Sequence, residues 1–293
     1  MKKNNIQLDC ALNADLHCHS VYSDGVLTPE ELASRAKMNG IQLWALTDHD
    51  ELSGVEAAAT AAQKLALPFL TGVEISTCFG VHSIHVVGLG VDLNHAGLQQ
   101  GLHEIRLGRG ERAKKIAHAL ERLGIKDAFA GALHYAGNPN LISRAHFARF
   151  LTSQGVCKDK AEAFSKYLRT GKPGYVEHKW VSLETCLDWI HAAGGVAVLA
   201  HPGRYTELSK NQRRLLFAEF SSLGGRGVEV VTGNHSKEEA ALYTQMAQHY
   251  GLMASRGSDF HTPDESHVDL GKLPLLDAAS HPVWEALAKR IIW

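Results

Sequence analysis

The 293-residue chain is 45% hydrophobic with a net charge of -1, so it can bury a sizeable core but offers no global attraction for nucleic acid or an anionic membrane. Its five cysteines (Cys10, Cys18, Cys78, Cys157, Cys186) are odd in number, widely spread and free of any Cys-x-x-Cys pair, which argues against a disulfide framework and a thiolate zinc knuckle. The first ten residues carry two lysines but no apolar core for a signal peptide, and no run approaches the ~18 apolar residues of a membrane span, so a soluble cytoplasmic protein is expected.

In chain order, Ala14–His19 is the first strand candidate, and it carries Asp15-Leu16-His17-Cys18-His19-Ser20 ahead of Asp24-Gly25. Side chains at i and i+2 of a strand share a face, so His17 and His19 can grip one metal ion together. Thr28 with Glu31 three residues on predicts a capped helix over Pro29–Asn39, closing near Gly40. Apolar or β-branched runs then mark strands at Leu43–Thr47, Phe69–Ile75 and Ser83–Leu89. From about Leu98 to Lys179 the pattern changes to amphipathic helix, as in Glu104–Leu123, with no convincing strand. Helices are expected at Ser182–Ala193, stopped by Gly194-Gly195, and at Lys237–Tyr250 before Gly251, with strands at Gly195–Ala200, Gly227–Val231 and Leu252–Ser255. The alternation predicts a largely parallel α/β sheet, open or closed into a barrel, in two parts (12–97 and 180–293) around an all-helical insertion (98–179).

Eighteen histidines are the compositional outlier. His95, His103, His118, His235, His249 and His281 lie in polar or helical stretches without ligand-like company. Six others concentrate with acids at predicted strand ends: His17, His19 and Asp24; His49 in Leu46-Thr47-Asp48-His49-Asp50; Glu74 in Val73-Glu74-Ile75; His85; His201 in His201-Pro202-Gly203-Arg204; and Asp259 with His261. A lone His-x-His or a single acid in an apolar strand is commonplace. Nine donors gathered at the ends of several strands are not, because that rim is where α/β barrels build active sites. The set exceeds what one tetrahedral ion needs, implying two or three ions, and mixed nitrogen and oxygen ligands suit Mn, Zn or Fe better than Mg or Ca.

Clustered ions suit hydrolysis at phosphorus, since they generate hydroxide and neutralise charge on the attacked and departing oxygens. An acyl hydrolase, which usually uses fewer ions, competes, but it has less use for guanidinium groups. Arg204 in the His201 loop and Arg144 in the insertion could both fork onto a phosphate, against the plainer alternative of surface salt bridges. Between Glu104 and Lys126 seven Lys or Arg face three Glu, and Lys166-Tyr167, Arg169, Lys172 and Tyr175 follow. Most of these read as a solvated helix face. Basic groups interleaved with aromatics are also what a single-stranded nucleic acid needs, so a substrate cap that includes Lys172 is the alternative.

At Asp15–Asp24, Leu46–Asp50, Gly72–Ser76, His85, Ala200–Arg204 and Gly257–His261 the chain resembles the PHP family, named for polymerase and histidinol phosphatase. The Ser143–Phe150 and Gly171–Val176 segments resemble its subgroup of nucleoside 3′,5′-bisphosphate phosphatases and 5′→3′ exoribonucleases. The resemblance implies a distorted seven-stranded βα (TIM-like) barrel with a helical insertion and a trinuclear site, usually loaded with Mn. It assigns His17, His19, Glu74 and Asp259 to one ion, Glu74, His85 and His201 to a second, and Asp24, His49 and His261 to a third; Asp24 stands where some relatives have His. The activity implied is hydrolysis of a 3′-phosphoester in 5′-phosphorylated RNA ends or 3′,5′-bisphosphonucleosides, with Arg144, Arg204 and Lys172 binding substrate. The alternatives are a small-molecule phosphatase of the histidinol phosphate type and a non-catalytic metal-bound module.

Overall fold

A computed structural model describes residues 6–136, 138–264 and 266–293; the Lys2-Lys3 pair of the N-terminal segment lies outside them. Strands β1 (Ala14–Asp15), β2 (Leu43–Leu46) and β3 (Phe69–Phe79) pair in parallel, with helices α1 (Pro29–Met38) and α2 (Val55–Lys64) as the crossovers. The α1 capping box forms as its sequence predicts: the Thr28 hydroxyl accepts from Glu31 N, while the Glu31 carboxylate accepts from Thr28 N. Leu32, Ala33 and Ala36 of α1 and Ala58 and Ala62 of α2 bury one face each against Trp44 and Phe69, whose rings lie 5.1 Å apart.

The sheet is largely parallel, as expected, with one exception at β4 (His82–Leu89), which runs antiparallel to β3 on one side and to β6 (Val196–Leu199) on the other. The reason is connection length. Only Gly80 and Val81 separate β3 from β4, Gly80 adopts a left-handed φ of 58°, and so short a link can only reverse the chain. A short β5 (Val181–Ser182), unforeseen in the sequence, pairs with the far end of β3. Parallel pairing resumes through β6, β7 (Gly227–Thr232) and β8 (Met253–Gly257), giving the path β1-β2-β3-β4-β6-β7-β8.

Closure is nearly complete. The end of β8 and the segment after it meet residues following β1 through Leu16 N to Arg256 O at 3.0 Å, Asp259 N to His17 O at 2.8 Å and His19 N to Phe260 O at 2.9 Å. The first ladder is therefore shorter than Ala14–His19, because His17 to His19 bond to the 256–260 segment rather than forming a long ladder with β2. The molecule is a distorted, nearly closed α/β barrel. Strand side chains join α7 (Leu183–Ala192), α8 (Lys210–Ser222) and α9 (Lys237–His249) in one core that includes Leu187, Ile190, Phe217 and Tyr243.

Between β4 and β5 the described residues contain no strand. Helices α3 (Ala96–Glu121), α4 (Ala128–His134), α5 (Arg144–Ser153) and α6 (Lys160–Ala163) pack around a cluster of their own that includes Ile116, Leu120, Phe147, Leu151 and Leu168. Among the described residues no helix is long and apolar enough to cross a membrane. All five cysteines are free thiols.

Candidate metal centre

All nine donors singled out in the sequence converge on one rim of the barrel. Glu74, in the middle of β3, is the hub. Its Oε1 lies 2.8 Å from His85 Nδ1 and 2.8 Å from His201 Nε2, and its Oε2 lies 3.3 Å from both His17 Nε2 and His19 Nε2. His49 Nδ1 is 2.8 Å from the same Oε2 but off hydrogen-bonding geometry. Asp259 Oδ1 sits 3.2 Å from His19 Nε2, and Asp24 Oδ1 sits 3.2 Å from His261 Nε2. Three overlapping groups have ligand atoms close enough to share an ion: His19, Asp24, His49 and His261; His17, His19 and Glu74; and His49, Glu74 and His85. His19 and His49 each stand between two groups, so the structure draws the boundaries less sharply than the assignment implied by the resemblance.

Two features of the backbone build this geometry. A Cβ on Gly257 would lie 2.3 Å from His17 Cβ and 2.8 Å from Glu229 Oε1, so only glycine lets β8 pass beside the paired imidazoles. Asp50, His201 and Asp259 adopt left-handed φ values of 50°, 26° and 55°, conformations that cost a non-glycine residue free energy and that cluster at functional sites.

The donor set fits divalent cations. Asp24 Oδ1, His49 Nδ1, Glu74 Oε2 and Asp259 Oδ1 are buried without a hydrogen bond among the described residues, and polar atoms in that state need a partner. Burial opposes ionisation of Glu74, yet the imidazoles of His49, His85 and His17 hold it well below the usual carboxylate range. Against the same opposition, His261 and His49 keep Asp24 low, and Arg204 and His19 keep Asp259 low. Burial pushes His49 down to about 4, leaving a neutral ligand at pH 7. His19 goes the other way: the neighbouring carboxylates of Asp259 and Glu74 outweigh its burial and bring it up to about 10. A proton there compensates the buried carboxylates, and a cation would take over that task and release it.

A second layer of residues went unrecognised in the sequence. Glu229, a single acid in the apolar run Val228-Glu229-Val230, accepts from His17 Nδ1 at 2.8 Å and from His201 N at 2.7 Å, so His17 turns Nε2 toward the centre. Asp48 accepts from Ser20 N at 2.7 Å, Ser20 Oγ at 2.6 Å and Ser23 Oγ at 2.5 Å, fixing the loop that carries Asp24. Asp50 pairs with buried Arg109 of α3, which also donates to Ser76 Oγ at 2.7 Å. The only signal of the three acids in the sequence was position, each lying within two residues of, or on the strand neighbouring, a recognised donor.

The centre forms one wall of a cavity of about 370 Å³, whose other walls include Arg109, Arg112, Arg144, Arg204, Phe164 and Trp180. Arg204 pairs with Asp259 Oδ2. Arg112 and Arg144 have no carboxylate within ion-pair distance among the described residues. Their guanidinium groups lie 5.5 Å from the Trp180 ring and 5.9 Å from the Phe164 ring, with single bonds to Val176 O and Leu168 O. Burial, then the neighbouring Arg144 and Arg109, lowers Arg112 to about 9, and burial lowers Arg144. Lys172 sits exposed in a turn and is not among the cavity's lining residues.

Comparison with known proteins accords with this geometry, and the PHP domain matches residues 15–177. The chain belongs to the PHP family. This PHP protein is 46% identical over 280 residues to the 3′,5′-nucleoside bisphosphate phosphatase of Chromobacterium violaceum, covering 96% of this chain and 98% of that one. It is 40% identical over 272 residues to the 5′-3′ exoribonuclease of Haemophilus influenzae, covering 92% and 97%. It also matches the solved structure of a Chromobacterium violaceum amidohydrolase with sulfate bound, at a TM-score of 0.92 and 46% identity over 95% of this chain and 97% of that one. The PHP chain is accordingly an enzyme of the hydrolase class.

Proposed function

We propose that the protein hydrolyses the 3′-phosphoester of nucleotides that carry a 5′-phosphate, serving both as a 5′→3′ exoribonuclease on RNA ends and as a 3′,5′-nucleoside bisphosphate phosphatase. One observation carries the reading: a single cavity is lined both by donors of the candidate metal centre and by Arg112 and Arg144, which have no carboxylate partner among the described residues. A substrate with two phosphates satisfies both walls at once. The names of the two relatives support the same pair of activities.

The nine donors would hold three divalent ions, Mn2+ suiting the mixed nitrogen and oxygen set, with Glu74 shared between them. Bound there, such ions supply hydroxide at neutral pH and neutralise phosphoryl charge. The chain's own side chains do the rest. Arg112 and Arg144 anchor the 5′-phosphate, Arg204 steadies Asp259 and reaches toward the reacting phosphate, and Trp180 and Phe164 keep the guanidinium planes in place. When the 3′-phosphate is terminal, its release yields inorganic phosphate. When it continues into another nucleotide, the same cleavage frees a 5′-mononucleotide and leaves a new 5′-phosphate for the next round.

The test compares short RNAs with 5′-phosphate and 5′-hydroxyl ends under Mn2+. The 5′-phosphorylated RNA should be degraded faster by at least about tenfold, corresponding to about 1.4 kcal/mol from the anchored phosphate. Equal rates, or no cleavage of either, would refute the proposal.

A further inference from the structure

Asp24 is the donor farthest along the chain from any regular strand, and part of what holds it comes from the helical region. Asp48 fixes the loop before it through Ser20 and Ser23, and Gly25 packs so tightly behind it that a Cβ there would lie 2.2 Å from His19 O. The carboxylate itself is divided between two tasks. Oδ1 faces His261 Nε2 at 3.2 Å and His49 Nε2 at 3.9 Å, while Oδ2 accepts from the hydroxyl of Ser143 at 3.2 Å.

Ser143 is the N-cap of α5. Its Oγ accepts from Ala145 N at 3.1 Å, so the hydroxyl proton is available for Asp24, and its own N–H donates to Nδ1 of fully buried His146 at 3.0 Å. Six residues along the helix, Arg149 Nη2 donates to the main-chain oxygen of Asp24 at 2.9 Å. One helix thus holds both the side chain and the backbone of a single donor, and Arg144, next to the cap, lines the cavity.

We infer that α5 positions Asp24: its cap Ser143 fixes the carboxylate and Arg149 the backbone, so that Oδ1 stays aimed at His49 and His261, tying the ion these three would hold to the helix that bears Arg144. The inference rests on the nine donors forming a metal centre. Groups that orient metal ligands in this way typically govern affinity by about 10–100-fold. A role confined to fastening the helical region to the barrel would change stability and leave metal affinity alone.

Calorimetric Mn2+ titration, with metal counting after desalting, separates these cases for the wild type, Ser143→Ala, Ser143→Thr and Arg149→Met. Circular dichroism confirms that each variant is folded. Ser143→Ala and Arg149→Met should each weaken one class of Mn2+ site by about 10–100-fold and leave the other classes within about twofold. Ser143→Thr, which keeps the hydroxyl, should stay within about threefold of wild type. Folded Ala and Met variants that bind all their Mn2+ as tightly as wild type would overturn this inference alone. A wild-type chain that binds no Mn2+ would overturn the metal-centre reading and the inference with it.

Discussion

Glu74 shows how much one residue can decide. Five imidazole nitrogens surround its two oxygens within 3.3 Å, so one carboxylate supplies the charge they share. Glu74→Gln preserves shape but removes that charge, and it should lower turnover by at least about a thousandfold, near 4 kcal/mol of barrier, with loss of bound metal. Retention of wild-type activity and metal content would refute its bridging role. Residue-scale legibility was uneven for a physical reason. Val73-Glu74-Ile75 and Val228-Glu229-Val230 look alike as sequences, each an acid in an apolar strand. Only the former faces the donor cluster directly, whereas Glu229 acts through His17 and His201, and nothing in local sequence encodes that difference. Arg109 and Arg112 were likewise indistinguishable from the solvated basic residues around them until α3 turned them inward.

The elements were legible where their signals are local. Thr28 caps α1 as expected, and Ser182 and Ser236 cap α7 and α9 where those helices were expected, because a cap is decided within one turn. Strand direction is not local, and β4 reversed because a two-residue link cannot make a crossover. The attachment of α3 to the barrel is a second long-range feature, made by Arg106 donating to Asp50 O at 2.7 Å and by the buried Arg109–Asp50 pair. Breaking such a pair from one side leaves a buried charge uncompensated, which typically costs about 3–5 kcal/mol. Arg109→Met should therefore lower unfolding stability by that amount in urea titration, and Asp50→Asn added to it should recover part of the loss. A single-variant loss below about 1 kcal/mol would show that α3 is held by its apolar contacts instead.

At the scale of the whole molecule, the donors also do structural work. They come from within β3 and β4 and from the segments that follow β1, β2, β6 and β8, and the barrel's seam between its first and last strands rests on a few bonds around Leu16, His17 and His19. Ions bound to His17 and His19 on one side and Asp259 and His261 on the other would bridge that seam, and the same ions would neutralise carboxylates that burial otherwise penalises. Unfolding scatters residues that are as distant as 17 and 261 in the chain, so the native state binds the ions and the unfolded chain does not hold them together. Linkage then requires that metal raise stability, by about 2.7 kcal/mol for one site at a hundredfold excess over its Kd. With about 2–4 °C of melting temperature per kcal/mol in a chain approaching this size, chelator-treated protein should melt at least about 5 °C below the same protein resupplied with Mn2+. The difference should grow with Mn2+ concentration and vanish in Glu74→Gln. Identical melting curves with and without Mn2+ in the wild type would show that the carboxylates and imidazoles satisfy one another unaided, and that the rim closes the barrel without ions.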